Sequence, residues 1–471
     1  MNILLINPSL NQQRIGHYNS HIEKMRGVHP SLGLLYIAAT LEQDGHNIEV
    51  IDIDIEPSAQ NKIRHWLCRF KPEILCIHVM TWTFRQANEI ARLAKEISPC
   101  ICVIAGGAAV TSAPEPVMRY SLFDYGVIGE GEKTITELTR TLSLNGDVSK
   151  IPGIIYRKNG QLISNGQRAL IETLDSIPNP ARHLVKLKHY SDALSREGAC
   201  ATMITSRGCP YSCIYCDRRN RMGNKWRSFS NHRIIAEMRE LKNRYGIKEI
   251  MFFDDEFITD RRRTIEFCHL LIKEKLKIIW ECRSRVDQVN RELLKIMKNA
   301  GCYRIRFGFE SGDDKILRIL KKGITVAQSL KCAEMVKESG IEILGYFLFG
   351  CPGETEKTLQ ETIQLIFRIE PDFAVLSKVI LIPGSELFEW AVSQKLIAPD
   401  YWERFIKGEI TNAAPSLSSQ ELPEQRIDEI IRETNKRFYL RPQFLMRKLA
   451  KIKNITQLIK QTQLAGALLN Y

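Results

Sequence analysis

Short apolar runs alternate with helix-period segments twice along this chain, and that rhythm admits few folds. In the first block, residues 1–145, strand-like runs fall at 3–7 (ILLIN), 47–53, 73–79 (EILCIHV), 102–105 and 125–128. An apolar-periodic helix covers 33–43 and is stopped by Gly45. Short strands alternating with helices imply a parallel sheet covered on both faces. The block is therefore expected to be α/β, Rossmann-like and doubly wound. Such sheets bind ligands beyond the carboxyl ends of their strands. The loops there are Asn7-Pro8-Ser9, Asp52-Ile53-Asp54, Thr81-Trp82-Thr83, Gly106-Gly107 and Gly129-Glu130-Gly131-Glu132.

Residues 146–198 break the rhythm. IPGIIYRKNGQLIS reads as a small hairpin turning at Asn159-Gly160, and proline-rich IPNPARHL follows, so a linker with some structure of its own is expected. Alternation resumes over 199–395 with a longer period. Strands are expected at 201–205, 248–253, 278–282, 303–309, 341–348 and 375–380, with helices such as 231–245, 290–299 and 325–339 between them. Six βα units predict a partial (β/α)6 barrel, whose active residues come from the carboxyl ends of its strands. Residues 396–471 read as a basic, helical C-terminal region.

The first strand of the second block runs directly into Cys209-x3-Cys213-x2-Cys216. That spacing lets three thiolates of one loop converge on one inorganic cluster. Three ligands on a four-iron cubane leave one iron open to a substrate. Structural zinc takes four closed ligands, usually two spaced pairs, and no second CxxC or HxxxH pair occurs, so iron–sulfur ligation fits better. The odd total of 13 cysteines in 471 residues argues against a secreted disulfide framework. No signal peptide is evident in MNILLINPSL. No apolar run approaches the ~18–20 residues that cross a bilayer. A cytoplasmic protein with reduced thiols is expected. Cys68, Cys76, Cys100, Cys102, Cys268, Cys282, Cys302 and Cys332 read as small buried hydrophobes. Cys200 and Cys351 stand near glycine-rich or loop sequence.

The triplet, with Gly208 before it and Tyr215 preceding its last cysteine, resembles the radical S-adenosylmethionine (SAM) superfamily. The motifs TSRGCPYSCIYCD, FFDDEF, RVDQVNRELLKIMKNAGC, FGFESG and YFLFGCPGET are similar to its catalytic domain. HPSLGLLYIAATLEQDGHNIEVID, GGAAVTSAPEPV and GEGEKTI resemble the cobalamin-binding domain fused to one large branch of it. Together they cover about residues 1–390. The resemblance implies a 4Fe-4S cluster on Cys209, Cys213 and Cys216. Its open iron would chelate SAM, and reductive cleavage would release a 5′-deoxyadenosyl radical. Tyr215 is then placed against the adenine. Asp254, Asp255 and Glu256 end the second barrel strand, where the family receives the SAM ammonium; a carboxylate suits a cation. Arg285 would pair with the SAM carboxylate, Glu310 and Ser311 would meet the ribose, and Gly350, Pro352 and Gly353 would lie near the adenine edge.

For the cobalamin half, the resemblance places Asn7, Ser9, Thr81, Thr83, Gly106, Gly107, Gly129 and Glu130 near the cofactor. The glycines would allow close backbone approach to its nucleotide tail. The Asp-x-His-x-x-Gly loop that supplies an axial histidine in many corrinoid domains is absent after the first strand. Asp44-Gly45-His46 precedes the second strand instead, and His46 reads as a surface or packing histidine. No protein histidine is expected on cobalt.

This pairing implies methylation of an unactivated carbon, or of phosphorus, in a small-molecule or lipid substrate by way of methylcobalamin. The alternative is an oxidoreductase or cyclase that uses cobalamin without moving a methyl, like the anaerobic Mg-protoporphyrin monomethyl ester cyclase. A methylthiotransferase would need a second cysteine cluster in the N-terminal block. A corrinoid-binding sensor with a vestigial barrel is the non-enzyme reading, against which the intact triplet argues. The resemblance also implies an external electron donor of flavodoxin or ferredoxin type.

Net charge is +13, and the stretch from Arg432 to Tyr471 carries nine Lys or Arg against one acid, Glu433. Three readings of this tail stay open: a helix on an anionic membrane surface, peripheral to the inner membrane, a cap over the barrel mouth, or a helix packed on the barrel. No nucleic-acid module is evident, so nucleic acid is not an expected partner.

Overall fold

The computed structural model describes residues 1–9, 27–56, 59–192, 194–217, 222–413, 415–417 and 422–449. The first block folds as read. Strands β1 (Asn2–Asn7), β2 (Asn47–Asp52), β3 (Ile74–His78), β4 (Cys102–Gly106) and β5 (Tyr125–Val127) lie in the order β2-β1-β3-β4-β5, all parallel. Their side chains are buried almost without interruption, as in Leu4, Leu5, Ile6, Leu75 and Ile77, because helices cover both faces.

The hairpin belongs to this sheet rather than to a separate linker. Its strands β6 (Ile154–Lys158) and β7 (Gln161–Ser164) continue the order past β5, running antiparallel. Asn159 and Gly160 both adopt positive φ, 52° and 76°, as a tight two-residue hairpin turn requires. Ile154 and Ile155 are buried, and Tyr156 stacks with Tyr125 at 6.0 Å between centroids. That apolar face is what draws the hairpin onto the sheet edge. The helix Tyr401–Lys407 also returns here: Trp402, Phe405 and Ile406 join the core around Phe84 and Phe123, and Arg85 lies over the Phe405 ring at 4.5 Å.

The second block forms six parallel strands in the order β15-β14-β13-β12-β11-β8, the (β/α)6 partial barrel expected. They are β8 (Cys200–Met203), β11 (Glu249–Phe252), β12 (Ile279–Ser284), β13 (Cys302–Glu310), β14 (Glu342–Phe349) and β15 (Phe373–Lys378). A two-stranded ribbon, β9 (Ser206–Arg207) with β10 (Arg227–Ser228), stands between β8 and β11. The barrel helices start where side-chain oxygens cap them. Ser230, Asp260, Asn290, Asp313, Thr325, Thr355 and Ser385 each accept from the backbone N–H three residues on.

Strand alternation sorts the barrel residues. Trp280 faces outward into an aromatic cluster with Phe252, Phe257 and Phe267. The lower interior is charged: Arg304 is held by Glu281 at 3.0 Å and Glu342 at 3.0 Å, and Tyr303 donates to Glu249 at 2.5 Å. The helix Glu424–Tyr439 packs on the barrel through Ile427, Ile430, Ile431 and Phe438, and Tyr439 Oη donates to the Ala374 carbonyl at 2.6 Å. The described start of the basic tail therefore packs on the barrel through Phe444, while Leu445 and Met446 face outward. The proposed membrane or capping segment beyond it lies outside the described residues. No described helix is long and apolar enough to cross a membrane.

The two sheets are joined by buried charge. Glu130, from the loop after β5, accepts from Arg207 Nη1 at 3.0 Å, Arg227 Nη1 at 2.8 Å and the Ile171 N–H at 2.7 Å. Glu132 takes the second Arg207 nitrogen at 2.5 Å. Burial works to raise the Glu130 carboxyl, but Arg227 and Arg207 outweigh it and hold it below its ordinary range. Removing one member of a buried pair strands the other. Glu130→Gln is expected to destabilise the protein by about 3 kcal/mol or more, read as a drop in thermal midpoint of anaerobic protein. An unchanged midpoint would refute the role given to this network.

Candidate active site

The cysteine loop follows β8 and the short β9. Gly208 adopts φ 87°, and a Cβ there would lie 2.3 Å from the Lys225 carbonyl, so the loop can begin only with glycine. Backbone bonds pin it elsewhere: Ile214 donates to Leu320 at 3.1 Å, Cys216 to Cys213 at 3.2 Å, and Leu387 to Ile214 at 2.8 Å. The thiols of Cys209, Cys213 and Cys216 are half-buried and all line one cavity of about 470 Å³ at the carboxyl end of the barrel strands.

The acidic turn after β11 divides cleanly. Asp254 is buried away from the cavity, where its Oδ1 accepts from Thr205 N–H at 2.9 Å, Thr205 Oγ1 at 2.8 Å and Ser206 Oγ at 2.5 Å. It braces the segment leading into the cysteine loop. Asp255 and Glu256 line the cavity. Ser284 Oγ donates to Glu256 at 2.9 Å, and burial pushes that carboxyl up to about 7.

Arg285, closing β12, also lines the cavity. Asp287 holds it at 3.0 and 3.1 Å, the Tyr211 ring lies 3.7 Å beneath it, and its buried Nη1 makes no hydrogen bond among the described residues. Glu310, ending β13, has φ 62° beside a register shift, an uncommon conformation for a residue with a side chain. Tyr215 Oη donates to its Oε1 at 2.9 Å and Lys322 Nζ at 2.7 Å. A Cβ on Gly308 would stand 2.3 Å from that same Oε1, so glycine there makes room for the pair.

At the first sheet, Asn7, His78, Gly107 and Gly129 stand at or just beyond the carboxyl ends of β1, β3, β4 and β5. Asn7 Nδ2 donates to Asp52 at 3.0 Å, and Asn7 Oδ1 lies 3.0 Å from His78 Nδ1. Gly107 has φ 125°, and a Cβ there would meet the Val79 carbonyl at 2.7 Å and the His78 ring at 2.8 Å. Gly129 has φ 79° and open space where its Cβ would be.

Comparison with known proteins places the whole arrangement. Residues 203–366 match the Radical SAM superfamily and residues 20–139 the B12 binding domain. An uncharacterized methyltransferase of Pyrococcus horikoshii, PH0819, is 33% identical over 419 residues, spanning 89% of each chain. The chain belongs to the cobalamin-binding radical SAM enzymes. The anaerobic magnesium-protoporphyrin IX monomethyl ester cyclase of Rubrivivax gelatinosus is 25% identical, over 83% of this chain and 70% of that one. The fold is shared with the radical SAM methyltransferase TsrM of Kitasatospora setae, solved with cobalamin and a 4Fe-4S cluster bound. Its TM-score is 0.70 at 18% identity, covering 83% of this chain and 78% of that one.

The cofactors of this family are a 4Fe-4S cluster, SAM and cobalamin, and the residues present fit them. Burial raises the Cys209 thiol, and Cys216 and Cys213 raise it further, so the thiols lie within electrostatic reach of one another. Among the described residues no three side chains meet in single-ion geometry, and the thiols instead share one cavity wall. The unpartnered Arg285 Nη1 suits a carboxylate. Gly129, with open space where its Cβ would be, leaves room for a ligand at the carboxyl end of the first sheet.

Several expected contacts lie elsewhere. Glu130 serves the buried interface network. Ser311 is fully buried against Thr362 Oγ1 at 3.2 Å. Thr81 and Thr83 are buried in a single turn, where Thr83 Oγ1 accepts from Met80 N–H at 3.0 Å. Ser9 is buried, with its N–H on Gln86 at 2.6 Å and its hydroxyl on Asp54 at 2.5 Å. His46 stands at the amino end of β2, 3.7 Å from Asp44 and away from the carboxyl ends of the strands. Gly350, Pro352 and Gly353 do not line the cavity. Gly350 packs toward Ile427, and Glu354 accepts from the Gly350 and Cys351 N–H groups at 2.6 and 2.8 Å. Cys351 is a buried apolar residue, whereas Cys68 and Cys100 are exposed because each lies on a solvent-facing side.

Sequence reasoning missed Lys322, Tyr211, Arg283, Arg306 and Tyr346, all in the cavity wall. Strand period could have found Arg283, two residues before Arg285. Lys322 carries no local signal, since only the fold brings it to Glu310. His78, at the carboxyl end of β3, could have been found as the histidine near the end of the EILCIHV run.

Replacing any one of Cys209, Cys213 or Cys216 by Ala is expected to abolish cluster loading and SAM cleavage while sparing cobalamin binding. Iron and sulfide analysis beside cobalamin absorbance checks this; loss of both together would show that the two sites are not independent. Glu354 gives a pH test. Burial raises it to about 7, so its stabilising protonated form is complete below its unfolded pKa and lost as pH rises through about 7. The thermal midpoint of Glu354→Gln should therefore gain on wild type between about pH 5 and about pH 8. A pH-independent difference would contradict the assignment.

Proposed function

We propose that this enzyme methylates an unactivated carbon of a small molecule, by way of reductive SAM cleavage and cobalamin. The observation that carries this reading is the single cavity. One wall bears three cluster thiols, the next bears Asp255, Glu256 and Arg285, and the barrel interior below is open to a substrate. When bound, the cluster and cobalamin supply one-electron cleavage and methyl-carrying chemistry that side chains cannot perform.

The chain's own residues bind, orient and exclude water. Cys209, Cys213 and Cys216 hold the cluster. Asp255 and Glu256 receive the SAM ammonium, and Arg285 takes its carboxylate through Nη1. Glu310, fixed by Lys322 and Tyr215, meets the ribose, and the Tyr215 ring borders the adenine. Asn7, Gly106, Gly107 and Gly129 line the entry for the cobalamin tail. Two ionic clamps, Lys322–Glu310 and Arg285–Asp287, keep these groups oriented before SAM enters, so little ordering remains on binding. An external one-electron donor of flavodoxin or ferredoxin type reduces the cluster; the net charge of +13 suits an acidic donor protein.

Cyclisation without methyl transfer is the second reading, favoured by the relative that bears a cyclase name. Anaerobically reconstituted enzyme, incubated with a low-potential reductant, methyl-labelled SAM and host extract, separates the two. The expected result is 5′-deoxyadenosine together with label in a small-molecule product. A product that has lost hydrogen without gaining label would move the assignment to cyclisation. No SAM cleavage with any fraction would sink both.

A further inference from the structure

The cavity holds a cation that neither the cluster loop nor the SAM-binding set uses. Arg283 and Arg306 lie side by side on β12 and β13, in direct register. Both line the cavity, with Tyr346 beside them. Arg306 is compensated, since it pairs with Glu281 and stands 3.9 Å from Asp192. Arg285 has Asp287 and Lys322 has Glu310.

Arg283 differs from all three. Among the described residues its guanidinium pairs with no carboxylate and donates no hydrogen bond; its contact is with the Phe253 ring, 4.6 Å away. Phe253 is in turn held edge-on by His29 at 5.0 Å, so the platform under the guanidinium is fixed. Burial works against the Arg283 charge and the neighbouring Arg306 adds to this, while Tyr346, Glu281 and Asp254 favour the charge without bonding to it. A half-buried guanidinium that lines a cavity and bonds to no counter-ion among the described residues is placed to take its counter-charge from a ligand. Its place in the barrel agrees. Arg283 lies within β12 and Arg285 just past its end, and both line the cavity, so Arg283 stands deeper in the barrel. A group bound there lies below the SAM carboxylate site, inside the barrel.

We propose that Arg283, flanked by Arg306 and Tyr346, is the receptor for an oxyanion of the substrate, either a carboxylate or a phosphoryl group. The inference rests on the reading of this cavity as a radical SAM site and adds the substrate's chemical class. The anion is held deep, and the atom that reacts is left above it, toward the SAM-binding wall. A planar guanidinium suits both anions because its paired N–H groups match two oxygens at once.

The test uses anaerobic holoenzyme with SAM bound, titrated calorimetrically with acetate and with methylphosphonate. At least one probe is expected to bind saturably in the millimolar range. Arg283→Gln should weaken that binding about tenfold or more, and Arg283→Lys, which keeps the charge without the fork, should fall between. Whichever probe binds more tightly identifies the class of oxyanion. Iron content, cobalamin absorbance and SAM affinity should match wild type in both variants. Because the charge removed has no partner, the thermal midpoint of Arg283→Gln should equal or exceed that of wild type.

Equal binding by wild type and Arg283→Gln, or no saturable binding of either probe to wild type, overturns the proposal. Weakened SAM affinity in Arg283→Gln also overturns it, by assigning the arginine to SAM. A lowered thermal midpoint overturns it too, by making the arginine structural. SAM cleavage by wild type is measured on the same preparation with fractions of host extract added. Its absence with every fraction would sink the radical reading while leaving the anion measurement standing.

Discussion

A buried cluster of four charges between the two sheets is the constraint on which the rest depends. Glu130, at the end of the loop after β5, and Glu132, in the first turn of the helix Gly131–Ser143, grip Arg207 and Arg227, the arginines of the short ribbon that closes the cysteine loop. Arg207 is two residues from Cys209. The bond that joins the halves is therefore also the one that aims the cluster loop. At that depth the two carboxylates must be matched by both guanidiniums, because either alone would leave an uncompensated charge. The Ile171 N–H completes the set, so the irregular segment between the sheets is tied into the same network. A loop whose ends are fixed this way has less to order when a ligand binds.

The barrel interior carries the same theme. Many such barrels fill their centre with branched apolar side chains. Here the lower layer is an alternation of Glu281, Arg304 and Glu342, closed by Tyr303 and Glu249. The apolar material lies outside, where Trp280 and three phenylalanines pack under the helices. A polar centre would collapse if left unpaired, and the described ion pairs prevent this for nearly every member. Arg283 is the exception, and its position between the charged floor and the SAM-binding wall is what gives it meaning.

Glu310 adopts positive φ beside a register shift, and Gly208 and Gly308 each leave room that a Cβ would fill. These positions bear side chains or backbone that must point into the cavity rather than along the sheet. Their cost is met by the ion pair with Lys322 and by the backbone bonds that pin the cysteine loop.

Much of this was legible in the sequence. Strand and helix periods set both parallel sheets to within a few residues, because apolar spacing follows local backbone geometry and needs no knowledge of the fold. The cysteine triplet was legible for a similar reason, since its ligands lie within one loop. The hairpin read as linker, because nothing in IPGIIYRKNGQLIS states which sheet edge will accept it. Asp254, Asp255 and Glu256 looked equivalent on one turn, and only the direction of each side chain separated the brace from the cavity wall. Glu130 looked like a cofactor contact until its partners, 77 and 97 residues away, were in place. Lys322, Arg283 and Arg306 became site residues only when the strands closed. By itself the sequence determined the two folds, the place of the cysteine triplet after the first barrel strand and the family. The tertiary structure decided which charges are paired, which face the cavity and which one waits for a partner, because pairing is set by distances across the fold that no local pattern encodes.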